Sequence, residues 1–318
     1  MHAMTVSNGE IALNVVIAGP ETSDEPPILC VHGWPELSHS WRHQLAHFAA
    51  AGRRIAAMDV RGYGGSSKPA PVSAYTLSAL ASDVAAVIDA LGGRAILFGH
   101  DWGAPIVWNT ALRHPERVAA VAGLSVPFTP WGETRFLDVM RAMHAGKFFY
   151  QFYFMAEGVA EAELSADPDA LVKIYHALSG GNPKPGFGRK GPDATLLEDV
   201  ALPDPTPAWL PPEDLAVYKA AFVAGGWRGP INRYRAQDID FEEAIPLRGK
   251  LIQQPAAFIA GTRDPVRHFA PGMDAFASAG AGCADFRGTT LIEGAGHWVQ
   301  QEAPAATNAA LTAFVGSL

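Results

Sequence analysis

Apolar residues recur along this chain in two periods that take turns, and the alternation predicts strands and helices in succession. Ile11, Leu13, Val15 and Ile17 are separated by single residues, the spacing of a half-exposed strand near a sheet edge. Pro26-Pro27 closes the connection, and Ile28 to Val31 is a continuous apolar run of the kind buried on both faces. Trp41 to Ala50 reads as a helix and Arg54 to Met58 as the next strand. Leu77, Leu80, Ala81, Val84, Val87, Ile88 and Leu91 form one stripe of helical period, which Gly92-Gly93 stops. Ala95 to Phe98 predicts another buried strand, and Ala104, Val107, Trp108 and Ala111 follow at helical spacing. His114-Pro115 breaks that helix, and Val118 to Leu124 is a further buried strand.

Strands apolar on both faces, alternating with amphipathic helices, predict the α/β class, with a mostly parallel sheet and helices on both sides of it. The pattern lapses at Val126-Pro127. Residues 129–246 are aromatic and helical in places, without another strand of the same kind, which predicts a mainly helical lid inserted between a first core part, 1–128, and a second, 247–318. Inside it, Ser179 to Pro212 is punctuated by Gly180, Gly181, Pro183, Pro185, Gly186, Pro203, Pro205, Pro207, Pro211 and Pro212. So long an aperiodic stretch reads as a functional lid loop or a mobile segment. The core resumes with a strand over Ala256 to Ala260, a helix near Phe269 to Ser278 and a strand near Asp285 to Leu291. A last helix places Thr307, Leu311, Phe314 and Val315 on one face, and no internal repeat is present.

Composition narrows the function classes. At 318 residues, 48% hydrophobic and 18% charged, the chain can bury one large core with an added subdomain. A net charge of -8 without a cluster of Lys and Arg offers no footprint for nucleic acid or an anionic membrane and favours a neutral or cationic ligand. Cys30 and Cys283 lie far apart without CxxC or His-rich company, so they read as buried free thiols rather than a disulfide or a metal site. Ile11 to Ala18 is too short to span a membrane, and the first basic residue is Arg42, which argues against a signal peptide and for a cytoplasmic protein.

Candidate chemistry centres on Gly99-His100-Asp101-Trp102-Gly103, at the junction of a predicted strand and helix. Small residues on either side of a central one allow the strained turn that lifts a nucleophile to the tip of a strand. Serine is the usual occupant; here it is Asp101. A carboxylate is ionised near neutral pH, so it needs no base to attack saturated carbon and form an ester. Hydrolysis of that ester does need a base, and His297 follows the last predicted strand. Asp264, just past the preceding strand, is placed to orient the imidazole and stabilise its charged form. Taken singly, an Asp in such a turn is more often a cap, and one His among 11 is ordinary. Their shared position after strands, in the order nucleophile, acid, histidine, outweighs that. His100 reads as structural, and Asp59 with the Arg61 to Ser66 loop as a brace for the same sheet end.

With His32-Gly33-Trp34-Pro35, Arg61-Gly62-Tyr63-Gly64-Gly65-Ser66 and Gly296-His297-Trp298 added, the chain resembles, over nearly its whole length, the epoxide hydrolases of the α/β-hydrolase fold. Phe149-Tyr150-Gln151-Phe152-Tyr153-Phe154, followed by Gly158 to Glu163, is similar to that family's first lid segment, and Gly229 to Arg235 to its second. The resemblance implies that Tyr150 and Tyr234 donate hydrogen bonds to the epoxide oxygen, with Tyr153 the competing register for the first. It implies backbone N–H groups of Trp34 and Trp102 as an oxyanion hole, a cis peptide before Pro35, and a substrate pocket of His32, Trp34, Pro35, Trp102, Tyr153 and Trp298. Arg233 departs from the pattern, since an aromatic commonly precedes the second tyrosine, and this bears on pocket shape. The implied reaction takes a small-molecule epoxide and water to a diol with no cofactor or metal, in a monomer or homodimer. The rival is a haloalkane or fluoroacetate dehalogenase with the same triad; Leu124-Ser125-Val126 lacks the carboxylate that one dehalogenase subgroup carries there. A catalytically dead binding protein of the same fold is the other alternative, and nothing needed for turnover is missing.

Overall fold

In the computed structural model, which describes residues 1–182, 190–269 and 272–318, a single eight-stranded sheet runs through the molecule. Its strands are β1 (His2–Asn8), β2 (Ile11–Ala18), β3 (Ile28–Val31), β4 (Ile55–Met58), β5 (Ala95–His100), β6 (Val118–Leu124), β7 (Ile252–Gly261) and β8 (Cys283–Ile292). Their spatial order is β1-β2-β4-β3-β5-β6-β7-β8. β1 and β2 form an antiparallel hairpin, β2 meets β4 antiparallel, and every other pairing is parallel.

The continuous apolar runs arise because successive side chains go to opposite faces and both faces are covered. Leu29, Val31, Leu97 and Val121 pack with Leu80, Val84 and Ile88 of α2 (Leu77–Leu91) and with Val107 and Trp108 of α3 (Gly103–Arg113). Ile28, Cys30, Ile96, Phe98 and Ala122 face the other way, against Leu45 and Phe48 of α1 (Arg42–Ala50) and Leu311 and Phe314 of α12 (Pro304–Gly316). Each large aliphatic side chain so buried contributes on the order of 1.5–3 kcal/mol. The Thr76 hydroxyl starts α2 by accepting the Ala79 N–H at 3.2 Å, and Gly92, at φ 125°, ends it.

Between β6 and β7 the described residues form helices and no strand: α4 (Phe136–Met143), α5 (Tyr150–Met155), α6 (Val159–Ala166), α7 (Ala170–Leu178), α8 (Pro212–Gly225), α9 (Arg228–Arg235) and α10 (Gln237–Glu243). Short α11 (Val299–Glu302) precedes α12. The described part of Ser179 to Pro211 is irregular, as its glycines and prolines predict, while Pro183, Pro185 and Gly186 lie outside the described residues. Cys30 and Cys283 are free. No helix among the described residues is long and apolar enough to cross a membrane.

Two elements differ from the sequence reading. β1 is a strand without an apolar period, since only Val6 of its seven residues is buried. The helix expected near Phe269 to Ser278 is replaced, among the described residues, by a short 3-10 helix at Pro265–His268 and turns after Gly272. Gly272 has φ 77°, and the Asp274 carboxylate takes the Phe276 N–H at 3.0 Å and the Arg267 guanidinium at 2.7 Å. That side chain supplies the backbone partner that a helix would otherwise provide.

Candidate active site

Three parallel strands deliver three side chains to one end of the sheet. β5 ends at His100, and Asp101 makes the turn into α3 with φ 50°, a left-handed conformation rare outside glycine. A Cβ at Gly99 would collide with the Gly103 carbonyl, and one at Gly103 with the Val31 carbonyl, so the bracketing glycines are steric requirements of the turn. Asp264 follows β7, and His297 lies between β8 and α11.

His297 Nδ1 is 3.1 Å from both Asp264 oxygens, and its Nε2 is 3.3 Å from Asp101 Oδ2. Burial opposes charge on the imidazole, but the Asp264 and Asp101 carboxylates overcome it and hold the His297 pKa well above its ordinary value. Burial likewise opposes charge on Asp101; the hydrogen bond and charge of His297, the charge of His100 and the Trp34 N–H, which donates to Oδ1 at 2.7 Å, bring its pKa below the usual carboxylate value. Asp101 also precedes the N-terminus of α3, where negative charge is favoured. The resting pair is therefore carboxylate and imidazolium.

Two phenols feel the charge of Asp101. Tyr150 opens α5 and Tyr234 belongs to α9, and their rings lie 5.7 Å apart at 80°. Burial and the Asp101 charge push the Tyr150 hydroxyl well above a phenol's ordinary pKa, against the opposing effect of hydrogen bonds from Gln151 and Tyr234. Tyr234 is raised by burial and by its neighbours Tyr150 and Asp101, opposed by the Trp102 indole at its hydroxyl. Both phenols hold their protons. Trp34 and Trp102 edge the Tyr234 ring at 6.0 and 5.2 Å, and the Trp34–Pro35 peptide is cis.

The expected pocket residues make contacts of their own. His32 is fully buried: its Nε2 accepts the Val60 N–H at 2.9 Å, so it ties β3 to the loop after β4. Trp298 is also fully buried behind His297, donating its indole N–H to the Tyr175 carbonyl at 2.8 Å. Tyr153 packs against Phe148, 5.7 Å between rings, and its hydroxyl hydrogen-bonds the Glu163 carboxylate. Pro35 is buried, its carbonyl taking the Tyr175 hydroxyl at 2.9 Å. Arg233 is buried too. Its guanidinium lies 4.7 Å over the Trp102 ring and pairs with Asp240 and the Tyr75 carbonyl, so it supports the floor of the site. Asp59 braces the same end, accepting from Ser38 N, Gly65 N and Asn14 Nδ2, each at 2.9 Å.

Sequence reasoning missed several contributors. The His297 carbonyl is held by His100 Nε2 at 2.7 Å and by the Ser125 hydroxyl at 2.8 Å, and His100 Nδ1 in turn meets the buried Glu36 carboxylate at 2.7 Å. No local pattern announces that network. Phe154, whose ring is 4.9 Å from Tyr234 and 5.6 Å from Tyr150, was legible in principle as the residue four positions after Tyr150 on one helix face. Among the described residues no cluster of His, Cys, Asp and Glu could hold a metal ion.

A parallel sheet with an acid, a histidine and a nucleophile at its strand ends defines the α/β-hydrolase fold, and the model of that fold family matches residues 26–304. Epoxide hydrolase A of Mycobacterium tuberculosis is 41% identical over 98% of this chain and 97% of its own length. Epoxide hydrolase 2 of Siraitia grosvenorii is 35% identical over 98% and 97%. The crystal structure of epoxide hydrolase A from Mycobacterium thermoresistibile superimposes with a TM-score of 0.90 at 39% identity, covering 98% of this chain and 97% of that one. The chain belongs to the epoxide hydrolases of the α/β-hydrolase fold.

Proposed function

We propose that this epoxide hydrolase converts an epoxide to a vicinal diol through an ester on Asp101, with His297 and Asp264 driving hydrolysis and Tyr150 and Tyr234 serving as acids. The observation that carries the reading is a pair of phenol rings 5.7 Å apart, one of them 5.2 Å from the Trp102 ring beside Asp101, with both hydroxyls raised in pKa by burial and by the Asp101 charge. Asp101 attacks a ring carbon, the C–O bond breaks, and its electron pair goes to the oxygen, which takes a proton from a phenol. An alkoxide is too poor a leaving group to depart without such a donor.

Ester formation changes the state of His297. Asp101 loses its charge and its acceptor oxygen, two of the influences that hold the imidazole protonated in the free enzyme. The His297 pKa falls, it releases its proton while the phenolate takes one up, and the neutral ring can take a proton from water. That water attacks the ester carbonyl, and the N–H groups of Trp34 and Trp102 face the developing oxyanion. The tetrahedral adduct collapses as its acyl C–O bond breaks, the departing oxygen takes the second proton of the attacking water, and the diol leaves with the imidazolium–carboxylate pair restored.

In this reading residues 129–246 form the lid, carrying both tyrosines over the two core parts, 1–128 and 247–318. The enzyme is read as cytoplasmic and as a monomer or homodimer. A panel assay tests the function: diol release from aryl, alkyl and terpene-like epoxides against halide release from haloalkanes and fluoroacetate. Diol formation without halide release is expected. Halide release with inert epoxides would assign the triad to dehalogenation.

A further inference from the structure

Gln151 follows Tyr150 in α5 and is buried, with 5% of its surface exposed. Its Nε2 donates to the Tyr150 hydroxyl at 3.0 Å, and its Oε1 accepts from Gln237 Nε2 at 2.9 Å. Gln237, the first residue of α10, also donates from Nε2 to the backbone carbonyl of Tyr234 at 2.9 Å. These contacts have one consistent direction. A backbone carbonyl can only accept, so Tyr234 fixes which end of the Gln237 amide faces it. The Gln237 amino group then fixes the Gln151 oxygen toward itself, which turns the Gln151 amino group to Tyr150. An amide nitrogen can only donate, so the Tyr150 oxygen accepts there. The phenol's own proton therefore lies outside the Gln151 contact.

We propose that Gln151 is a positioning residue for ring opening, anchored by Gln237, that aims the Tyr150 proton at the epoxide oxygen and stabilises the phenolate left behind. The proposal rests on the reading of Tyr150 as an acid. In the step concerned, the ring C–O bond breaks as the Asp101 ester forms, the electron pair goes to the oxygen, and the Tyr150 proton joins it. The negative charge moves to a phenol oxygen already accepting an N–H, and a hydrogen bond to a charged acceptor is stronger than one to a neutral acceptor. Gln151 therefore acts more on the transition state than on the bound substrate. Because Gln237 is anchored on the Tyr234 main chain, the relay also sets the first phenol relative to the second.

The test is the single-turnover rate of ester formation, followed by intact mass after rapid quench, with the epoxide that wild type opens fastest. Gln151→Leu should slow this step roughly five- to tenfold with KM little changed. Gln237→Leu, at a half-buried position, should slow it about threefold by freeing the Gln151 amide to turn. In a Tyr150→Phe background, Gln151→Leu should cost less than about twofold more, since it acts through the hydroxyl that is gone. Thermal melts of each variant report folding separately, and Gln237→Leu tests the relay even where Gln151→Leu folds poorly. Losses that multiply in the double variant would make Gln151 a packing residue and overturn the proposal. Wild-type ester formation in both glutamine variants, with Tyr150→Phe slow, would overturn the relay and leave the acid assignment standing. Wild-type ester formation in Tyr150→Phe would instead remove the acid assignment itself.

Discussion

His297 Nε2 lies 3.3 Å from Asp101 Oδ2, so the histidine contacts the proposed nucleophile directly, where in the proposed mechanism a water would have to pass between them to attack an ester. The lowered Asp101 pKa and the raised His297 pKa favour a charged pair in the free enzyme, and in the proposed mechanism that charge is removed by ester formation rather than by solvent pH. Much of the expected kinetics follows from this coupling.

The diol oxygen should come from Asp101 in the first turnover. In a single turnover in heavy-oxygen water, unlabelled diol is expected, with the label appearing in Asp101 when the protein is digested and weighed. Labelled diol from that first turnover would exclude the ester.

His297→Gln should leave ester formation within about tenfold of wild type, because the carboxylate is ionised without a base, and should slow hydrolysis by roughly a hundredfold or more. The adduct then accumulates and is visible by intact mass. Loss of turnover without an adduct would move His297 to the first step.

The fraction of enzyme held as ester should rise as pH falls. Ester formation needs ionised Asp101, whose pKa is depressed, and protonated phenols, whose pKa values are raised, so it is insensitive across the neutral range. Hydrolysis needs neutral His297, so it slows as pH drops through the lower pKa the ring has in the ester form. Quenched steady-state samples weighed from pH 5 to 9, roughly the window over which imidazoles titrate, check this. An ester fraction constant with pH would sink the coupling.

Tyr150→Phe and Tyr234→Phe should each lower ester formation roughly ten- to a hundredfold, about 1.5–3 kcal/mol for a hydrogen bond to a developing charge. The double variant should nearly abolish it. Tyr153→Phe is the control, since its hydroxyl is engaged with Glu163, and should leave the rate within about twofold of wild type. A sensitive Tyr153 would place the first lid segment in the wrong register over the site.

Arg233→Met should destabilise the protein by about 3–5 kcal/mol, because it leaves Asp240 buried without its partner while the Leu77 N–H still donates to it at 2.6 Å. Arg233→Met with Asp240→Asn keeps an acceptor for that N–H without the charge and should recover most of the loss in thermal melts. Equal melting temperatures for the single and double variants would show that the pair is not the source.

The sheet, its elbow and the order of the candidate triad are legible in the amino-acid sequence alone, because each strand and turn is written within a few consecutive residues. The apolar runs over Ile28 to Val31 and Ala95 to Phe98 record burial on both faces, and Gly99 and Gly103 record a turn in which a Cβ would strike backbone. β1 and the turns after Gly272 are not legible in that way. One is held by hairpin pairing with β2 rather than by apolar burial, and the other by Asp274 outcompeting a helix for the Phe276 N–H. His32 and Trp298 sit beside motif residues in sequence yet face the interior, since neighbouring side chains along a strand or loop point in different directions. The tertiary structure alone joined Gln151 to Gln237 across 86 positions and set Glu36, His100 and Ser125 around the His297 loop. Such polar contacts depend on which way distant side chains aim once helices have packed, and local periodicity carries no record of that.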